Sequence, residues 1–314
     1  MMKIAVVMDP IETINPGKDS SFAMMLEAQN RNYETHYITA ENLFCRAGKS
    51  WANAKQIKVF DQSSNWYETG HLQTVCLESF DVILMRKDPP FDMEYIMDTY
   101  MLELAMSATT HIINKPQALR DANEKFFTEY FTECTPENLI ARNPVTLRQA
   151  VQDMGEVIVK PMDGMGGNSI FKTAKNDKNL NVILETVTQN GTKTAMIQKY
   201  IPEIKQGDKR ILLINGEPVP YALARIPSSA DFRGNLAKGG TGKGLRLSES
   251  DRRICEIVGP KLKDMGIVFA GIDVIGEYLT EVNVTSPTCI RELDKIFDLN
   301  IAGELFDCIE KDIL

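Results

Sequence analysis

The feature that most constrains this chain is the rhythm of its first 115 or so residues. "KIAVVM" (Lys3 to Met8) is an unbroken apolar run ended by Asp9 and Pro10, and it reads as a buried strand. "SSFAMMLEAQNRN" follows with helical spacing, and Ser20 is placed as its N-cap. "DVILMR" (Asp81 to Arg86) repeats the strand, "MEYIMDTYMLELAMSA" repeats the helix, and "THIIN" is a third strand. Apolar strands alternating with helices predict an α/β fold, with a doubly wound parallel sheet covered on both faces. Residues Leu43 to Phe60 interrupt the rhythm and read as an irregular hairpin.

After Asn114 the character changes. "KPQALRDANEKFFTEYF" reads as helical and "TPENLIAR" as a turn into a strand. From about Glu156 strands dominate: "VIVKP", "SIFK", "AMIQKYI", "KRILLING" and "VPYALAR". The stretch "IPSSADFRGNLAKGGTGKGL" then holds five glycines between Gly234 and Gly244. It is too long for an ordinary connection and reads as a functional lid or a disordered insert. A helix (Ser248 to Met265), the strands "IVFAGIDVIG" and "YLTEVNV", and a last helix (Ile301 to Leu314) complete the chain.

Composition excludes more than it assigns. A net charge of −8, from 35 basic and 43 acidic residues with no basic run, argues against nonspecific nucleic-acid binding. The six cysteines form no CxxC, and the three histidines have no metal-ligand spacing. The N-terminal apolar run is too short for a signal peptide, and no stretch reaches transmembrane length. A cytoplasmic protein without a membrane partner is expected.

Three constellations carry chemistry. In "VIVKPMDGMGGNSIF" a strand ends in Lys160, and Gly164, Gly166 and Gly167 make the turn that follows. Such a turn admits phosphate oxygens to the backbone, though it matches neither a Walker loop nor a dinucleotide fingerprint. It is a plain hairpin turn or a phosphate cradle, and a lysine ending a buried strand calls for an anionic partner. In "QKYIPEIKQGDKRILLI", Gln198 to Ile201 end a strand at Pro202, which suits either an edge strand or an adenine-binding edge walled by Tyr200 and Ile201. Arg210 and Arg225 lie on successive strands, as surface charges or as holders of oxyanions. Finally, "FAGIDVIGEYLTEVNV" reads as a hairpin. With Gly276-Glu277-Tyr278 as a three-residue loop, Ile275 faces Leu279 and Asp273 faces Glu281. Asp273, Glu281 and Asn283 then share one sheet face, either as an ordinary exposed surface or as hard-oxygen ligands for Mg²⁺ or Mn²⁺.

Taken in order, "MDPI", "KDSSFAM", "VILMRKDPPFD", "NKPQALRDANEK", "KPMDGMGG", "GDKRILLINGEPVPYALAR", "RGNLAKGG", "GIDVIG" and "TEVNVTSPTCIRE" resemble the ATP-grasp ligases, and among them the bacterial glutathione synthetases, along essentially the whole chain. The resemblance implies an N-terminal Rossmann-like domain (1–122), a central ATP-grasp lid domain (123–202) and a C-terminal ATP-grasp domain (203–314) with a catalytic lid loop at 227–244. It implies ATP bound by Lys125, Lys160, the three glycines, Gln198, Lys199, Tyr200, Ile201 and Asp208, with only the backbone of Lys199 mattering. Two Mg²⁺ ions, replaceable by Mn²⁺, would sit on Asp273, Glu281 and Asn283. Arg210 and Arg225 would serve the acyl-phosphate centre. Arg86 and Arg233 would contact substrate, and Ser286 and Thr288 would lie near the incoming glycine. The implied reaction joins γ-glutamylcysteine to glycine at the expense of ATP, in a homotetramer. Two other readings compete: an ATP-grasp ligase for a different acid or amine, and a noncatalytic ATP-binding module.

Overall fold

Alternate residues of the first strand serve two different cores. In β1 (Lys3–Val7), Ile4 and Val6 pack into one and Ala5 and Val7 into the other, which is why the run is apolar throughout. The computed structural model describes residues 1–164, 166–228, 234 and 240–314. In chain order β1 is followed by α1 (Ser20–Asn30), β2 (Glu34–Ile38), β3 (Leu43–Arg46), β4 (Lys49–Val59), β5 (Tyr67–Cys76), β6 (Val82–Met85), α2 (Met93–Leu104) and β7 (His111–Ile113). The sheet order is β3-β4-β2-β1-β6-β7, with β5 paired to β4. Strands β2, β1, β6 and β7 run parallel, and α1 and α2 cover opposite faces, as the strand–helix rhythm predicts.

Three local expectations need correction. The N-cap of α1 is Asp19, whose Oδ1 accepts from Phe22 N (2.7 Å), and not Ser20. The region 43–60 is two regular antiparallel strands extended by the polar, largely exposed β5, which residue pattern alone did not reveal. The helix expected from Lys115 to Phe131 breaks. Helix α3 (Pro116–Asp121) stops, and Asn123 Oδ1 accepts from Lys125 N (3.2 Å) and Phe126 N (3.0 Å), restarting the chain as 3₁₀ turns over Phe126–Phe131.

The second sheet contains β8 (Asn138–Ala141), β9 (Glu156–Pro161), β10 (Phe171–Ala174) and β11 (Ala195–Lys199), antiparallel in the order β10-β9-β11-β8. Helices α4 (Pro144–Met154) and α5 (Leu180–Val187), absent from the strand-dominated expectation, close its own core around Leu147, Val151, Val159 and Leu184. The third sheet contains β12 (Asp208–Ile214), β13 (Glu217–Ile226), β14 (Thr241–Arg246), β15 (Phe269–Ile275) and β16 (Tyr278–Asn283), in the order β14-β13-β12-β15-β16. Helix α6 (Glu249–Met265), with a Ser248–Asp251 capping box, covers one face; α7 (Ile290–Phe297) and α8 (Ile301–Cys308) help cover the other. The final helix expected from Ile301 to Leu314 stops as an α-helix at Cys308 and continues as a π-helical turn.

Of the glycine-rich lid expected at 227–244, residues 229–233 and 235–239, Arg233 included, lie outside the described residues. Its end, from Thr241, is not loop but strand β14 paired with β13. Gly244 has a packing reason there, since a Cβ would come 2.6 Å from Phe297 Cε2. The first and third sheets share both large cores, whereas the second stands on its own core. A cleft opens where the second sheet meets the third.

Candidate active site

One face of the third sheet changes character along its strands. At one end Leu212, Ile214, Leu223 and Phe269 are buried in a shared core. At the other, the same parity brings Asp208, Arg210, Arg225, Asp273, Glu281 and Asn283 to that face. The pairing of Asp273 with Glu281 is as expected, but its route differs. The loop is the two residues Gly276 and Glu277, Gly276 with φ +60°, so Ile275 pairs with Tyr278 and Val274 with Leu279. Thr280 is then an extra, bulged residue that restores the Asp273–Glu281 register.

That bulge has a use. The Thr280 carbonyl accepts from Lys160 Nζ (3.2 Å), which also donates to Gln198 Oε1 (3.2 Å). Burial pushes the Lys160 ammonium down to about 8, even with Glu281 nearby. Lys125 Nζ lies 3.0 Å from Glu281 Oε1 and 2.5 Å from Gly164 O. Burial opposes its charge, but the Glu281 carboxylate outweighs this and its pKa is raised. Gly166 and Gly167 sit at φ +63° and +75°, the left-handed region that glycine enters without strain.

Below the lysines is a buried ionic cluster. Arg210 grips Asp273 with two bonds, Nε to Oδ1 (2.5 Å) and an NH2 to Oδ2 (3.1 Å). Arg225 donates to Asp208 Oδ2 (2.5 Å) and lies 2.8 Å from Asp273 Oδ2. Burial alone would raise both carboxylates. The two guanidinium groups outweigh it at Asp273 and hold that group well below the usual range, while Asp208 is pushed up to about 6. Arg225 Nε, Asp208 Oδ1 and Gln198 Nε2 are buried without a partner among the described residues, an unusual concentration of orphaned polar atoms.

The cleft above this cluster opens to solvent. Its polar lining includes Lys125, Lys160, Gln198, Asp208, Asp273 and Glu281, and Gly164, Gly166 and Gly167 line it as well. Its apolar lining includes Tyr200 and Ile201, as expected, and also Ile158, Ile170, Ile204 and Ile275. Ile158 and Ile275 were legible, since they share strand faces with Lys160 and Asp273; Ile170 precedes a strand and Ile204 lies on a 3₁₀ turn, where no period marks them. Lys199 lines the cleft, while its side chain turns outward to Glu137 (3.4 Å). Such a cleft suits a ligand with a flat apolar part and a polyanionic tail.

Six of the expected residues that are described lie outside the cleft lining: Arg210 and Arg225, in the buried cluster beneath it, and four others. Asn283 lies at the end of β16, and its Nδ2 donates to Gly271 O (3.1 Å). Ser286 bonds the side chain of Asp88, and Thr288 is exposed one residue before α7 begins its turn at Cys289. The buried Arg86 donates to Ser21 Oγ (3.0 Å) and Pro287 O (2.8 Å), so it ties the 286–288 segment to the first sheet. Sequence reasoning missed Glu124 and Asn114, whose side chains bond Val284 and Thr285 just before this segment.

The sequence profile described as prokaryotic glutathione synthetase, N-terminal domain, matches residues 2–120, and the one described as its ATP-grasp domain matches residues 124–298. The chain is similar to the glutathione synthetase of Vibrio parahaemolyticus, at 52% identity over 99% of this chain and 98% of the relative. It is 53% identical to that of Shewanella oneidensis and 52% identical to that of Escherichia coli, each over 99% of this chain and 98% of the relative. Among solved structures, a D-cycloserine synthetase superposes with a TM-score of 0.65 at 13% identity, covering 98% of both chains. An ATP-grasp ligase complexed with a minimal precursor superposes at 0.64 and 16% identity, also over 98% of both. At such identities these two speak for the fold alone.

Proposed function

The chain belongs to the prokaryotic glutathione synthetases, and from that premise we propose which of its residues carry the ATP-dependent joining of γ-glutamylcysteine to glycine. The family is one of ATP-dependent ligases that use a divalent metal. ATP phosphorylates the C-terminal carboxylate of the dipeptide, the glycine amine attacks the acyl phosphate, and phosphate leaves.

The observation that carries the assignment of roles is the sheet face shared by six polar side chains, of which Asp208, Asp273 and Glu281 line the cleft. In our reading the nucleotide base lies between Ile158, Tyr200, Ile201 and Ile204, beside the strand end Gln198–Ile201. Its phosphates reach Lys125, Lys160 and the Gly164–Gly167 turn, with Asp208 near the nucleotide. Arg210 and Arg225 face the acyl-phosphate centre, where fixed donors stabilise the charge that develops on oxygen. The unpartnered Nε of Arg225 supports this. Ser286 and Thr288 meet glycine, held in place by Arg86; Arg233 contacts substrate from the lid. The boundaries 1–122, 123–202 and 203–314, a cytoplasmic location and a homotetramer complete the proposal. No helix among the described residues is long and apolar enough to cross a membrane.

The donor set fits two Mg²⁺ ions, with Mn²⁺ as a substitute. Glu281 keeps Oε2 free of Lys125, and Asn283, donating through its amide nitrogen, leaves its oxygen to coordinate. Asp273 must share oxygens already bonded to guanidinium groups. Among the described residues no three Asp, Glu, His or Cys side chains gather to hold a metal, so nucleotide phosphates would complete the shell. When bound, the ions neutralise charge on the transferring phosphoryl group.

The test is ADP release with Mg-ATP, γ-glutamylcysteine and glycine. Turnover that requires all three is expected; faster turnover with a free amino acid as the acid, or with D-alanine, overturns the assignment. Lys160 adds a pH signature. Its ammonium is charged below about 8 and neutral above, so metal-free ADP should bind about tenfold more weakly at pH 9 than at pH 7. Lys160→Arg should flatten that profile. Calorimetry showing flat affinity in the unaltered chain removes Lys160 from the phosphate site.

A further inference from the structure

We propose that Glu124 is a positioning residue whose carboxylate sets the Val284–Thr288 segment for the attack of glycine. The inference rests on the reading of Ser286 and Thr288 as glycine-side contacts.

Strand β16 is the edge of the third sheet, and the outer side of an edge strand leaves backbone groups without ladder partners. The linker between the first and second sheets supplies them. Leu279 N donates to Cys134 O (2.8 Å) and Val282 N to Glu124 O (2.9 Å). Past Asn283 the strand ends, and the Glu124 side chain takes over. Its Oε1 accepts from Val284 N (2.9 Å), Thr285 N (3.1 Å) and Thr285 Oγ1 (2.9 Å). Three hydrogen bonds on one oxygen fix both the place and the heading of the turn.

The other side of the turn is held through carbonyls. Asn114 Nδ2 donates to Val284 O (2.8 Å) and Arg86 to Pro287 O (2.8 Å). Glu124 holds the amides. The neighbouring residue, Lys125, meanwhile contacts Glu281, two residues before Asn283. Residues 124 and 125 thus tie the phosphate end of β16 to the segment that follows it. An amine must meet the acyl carbon at a fixed distance and angle, and a misplacement of about 1 Å costs about 10²-fold. A carboxylate that fixes the backbone of the receiving segment acts on that alignment without touching substrate.

Steady-state kinetics of Glu124→Ala and Glu124→Gln in the full chain test this. Glu124→Ala should raise KM for glycine by about tenfold or more while KM for ATP moves less than about twofold. Glu124→Gln keeps an acceptor oxygen at the same reach and should restore glycine KM to within about threefold of the unaltered chain. Equal rises in both KM values, an unmoved glycine KM, or a Gln variant as impaired as Ala each overturn the proposal. If Glu124→Ala does not fold, Thr285→Val decides. It removes one of the three donors and should raise glycine KM alone by about threefold; no rise is fatal to the idea. Ser286→Ala and Thr288→Val separate the two levels. A flat glycine KM in both means the glycine-side reading is wrong, whereas a rise in these with unmoved Glu124 variants rejects only the role of Glu124.

Discussion

Arg210→Ala is expected to lower kcat for glutathione formation by about 10²-fold or more, with the chain still folded. The rate effect follows from what the guanidinium would do at the acyl-phosphate centre. It is a fixed, buried cation whose orientation is set before substrate arrives, because Asp273 holds both its Nε and an NH2. Such a donor needs no reorganisation as charge develops on the attacked carboxyl. Removing one partner of a buried ion pair ordinarily costs about 3–5 kcal/mol of stability. Here the loss is smaller, since Arg225 remains 2.8 Å from the same carboxylate. Arg210→Lys keeps the charge and loses the planar fork, so it should remain well below the unaltered rate. Rapid-quench measurement of kcat at saturating substrates, beside thermal unfolding, checks both halves. Unchanged turnover in Arg210→Ala would take this residue out of the mechanism.

How much of this was legible depended on whether the cause was local. The first sheet could be read because β1 and β6 are buried on both faces, so their sequences are apolar without alternation. The sharing of one face by Glu281 and Asn283 could be read because period two is intrinsic to a strand. The register across the hairpin was read through the wrong turn. A three-residue loop without a bulge and a two-residue loop with Thr280 bulged give the same Asp273–Glu281 pair. Thr280 betrays nothing in sequence; its bulged state shows in space, where its hydroxyl bonds Asp273 O and its carbonyl meets Lys160. Asp19 and Ser20 are both good caps, and propensity does not choose between them. Glu124 and Asn114 were invisible for a different reason. Their partners lie 160 and 170 residues away, and an acid beside a lysine in a linker looks like a solvated pair.

Asp273→Asn and Glu281→Gln should separate the two jobs proposed for one sheet face. Glu281 is partly exposed and, among the described residues, paired with Lys125, so Glu281→Gln should leave the fold intact. It should raise the Mg²⁺ concentration for half-maximal activity by about tenfold or more, since a full charge leaves the proposed ligand set. Asp273 is the counter-ion of two buried guanidinium groups as well as a ligand candidate. Asp273→Asn should therefore cost stability along with turnover, by about 3 kcal/mol at pH 7. The pH dependence carries the sign. The folded-state pKa of Asp273 lies below its unfolded value of about 3.9, so its contribution is complete above that value and is lost as pH falls through the folded pKa. The unaltered chain should lose this stability under acid, and Asp273→Asn should lack that part of the acid dependence, in unfolding curves taken from pH 6 downward. Metal titration then decides the second job. A shifted Mg²⁺ requirement in both variants keeps Asp273 in the coordination shell. A shift in Glu281→Gln alone reduces Asp273 to the buried anion that aims Arg210 and Arg225, and leaves the metal to Glu281, Asn283 and the nucleotide. An unmoved requirement in both rejects the metal site on this face altogether.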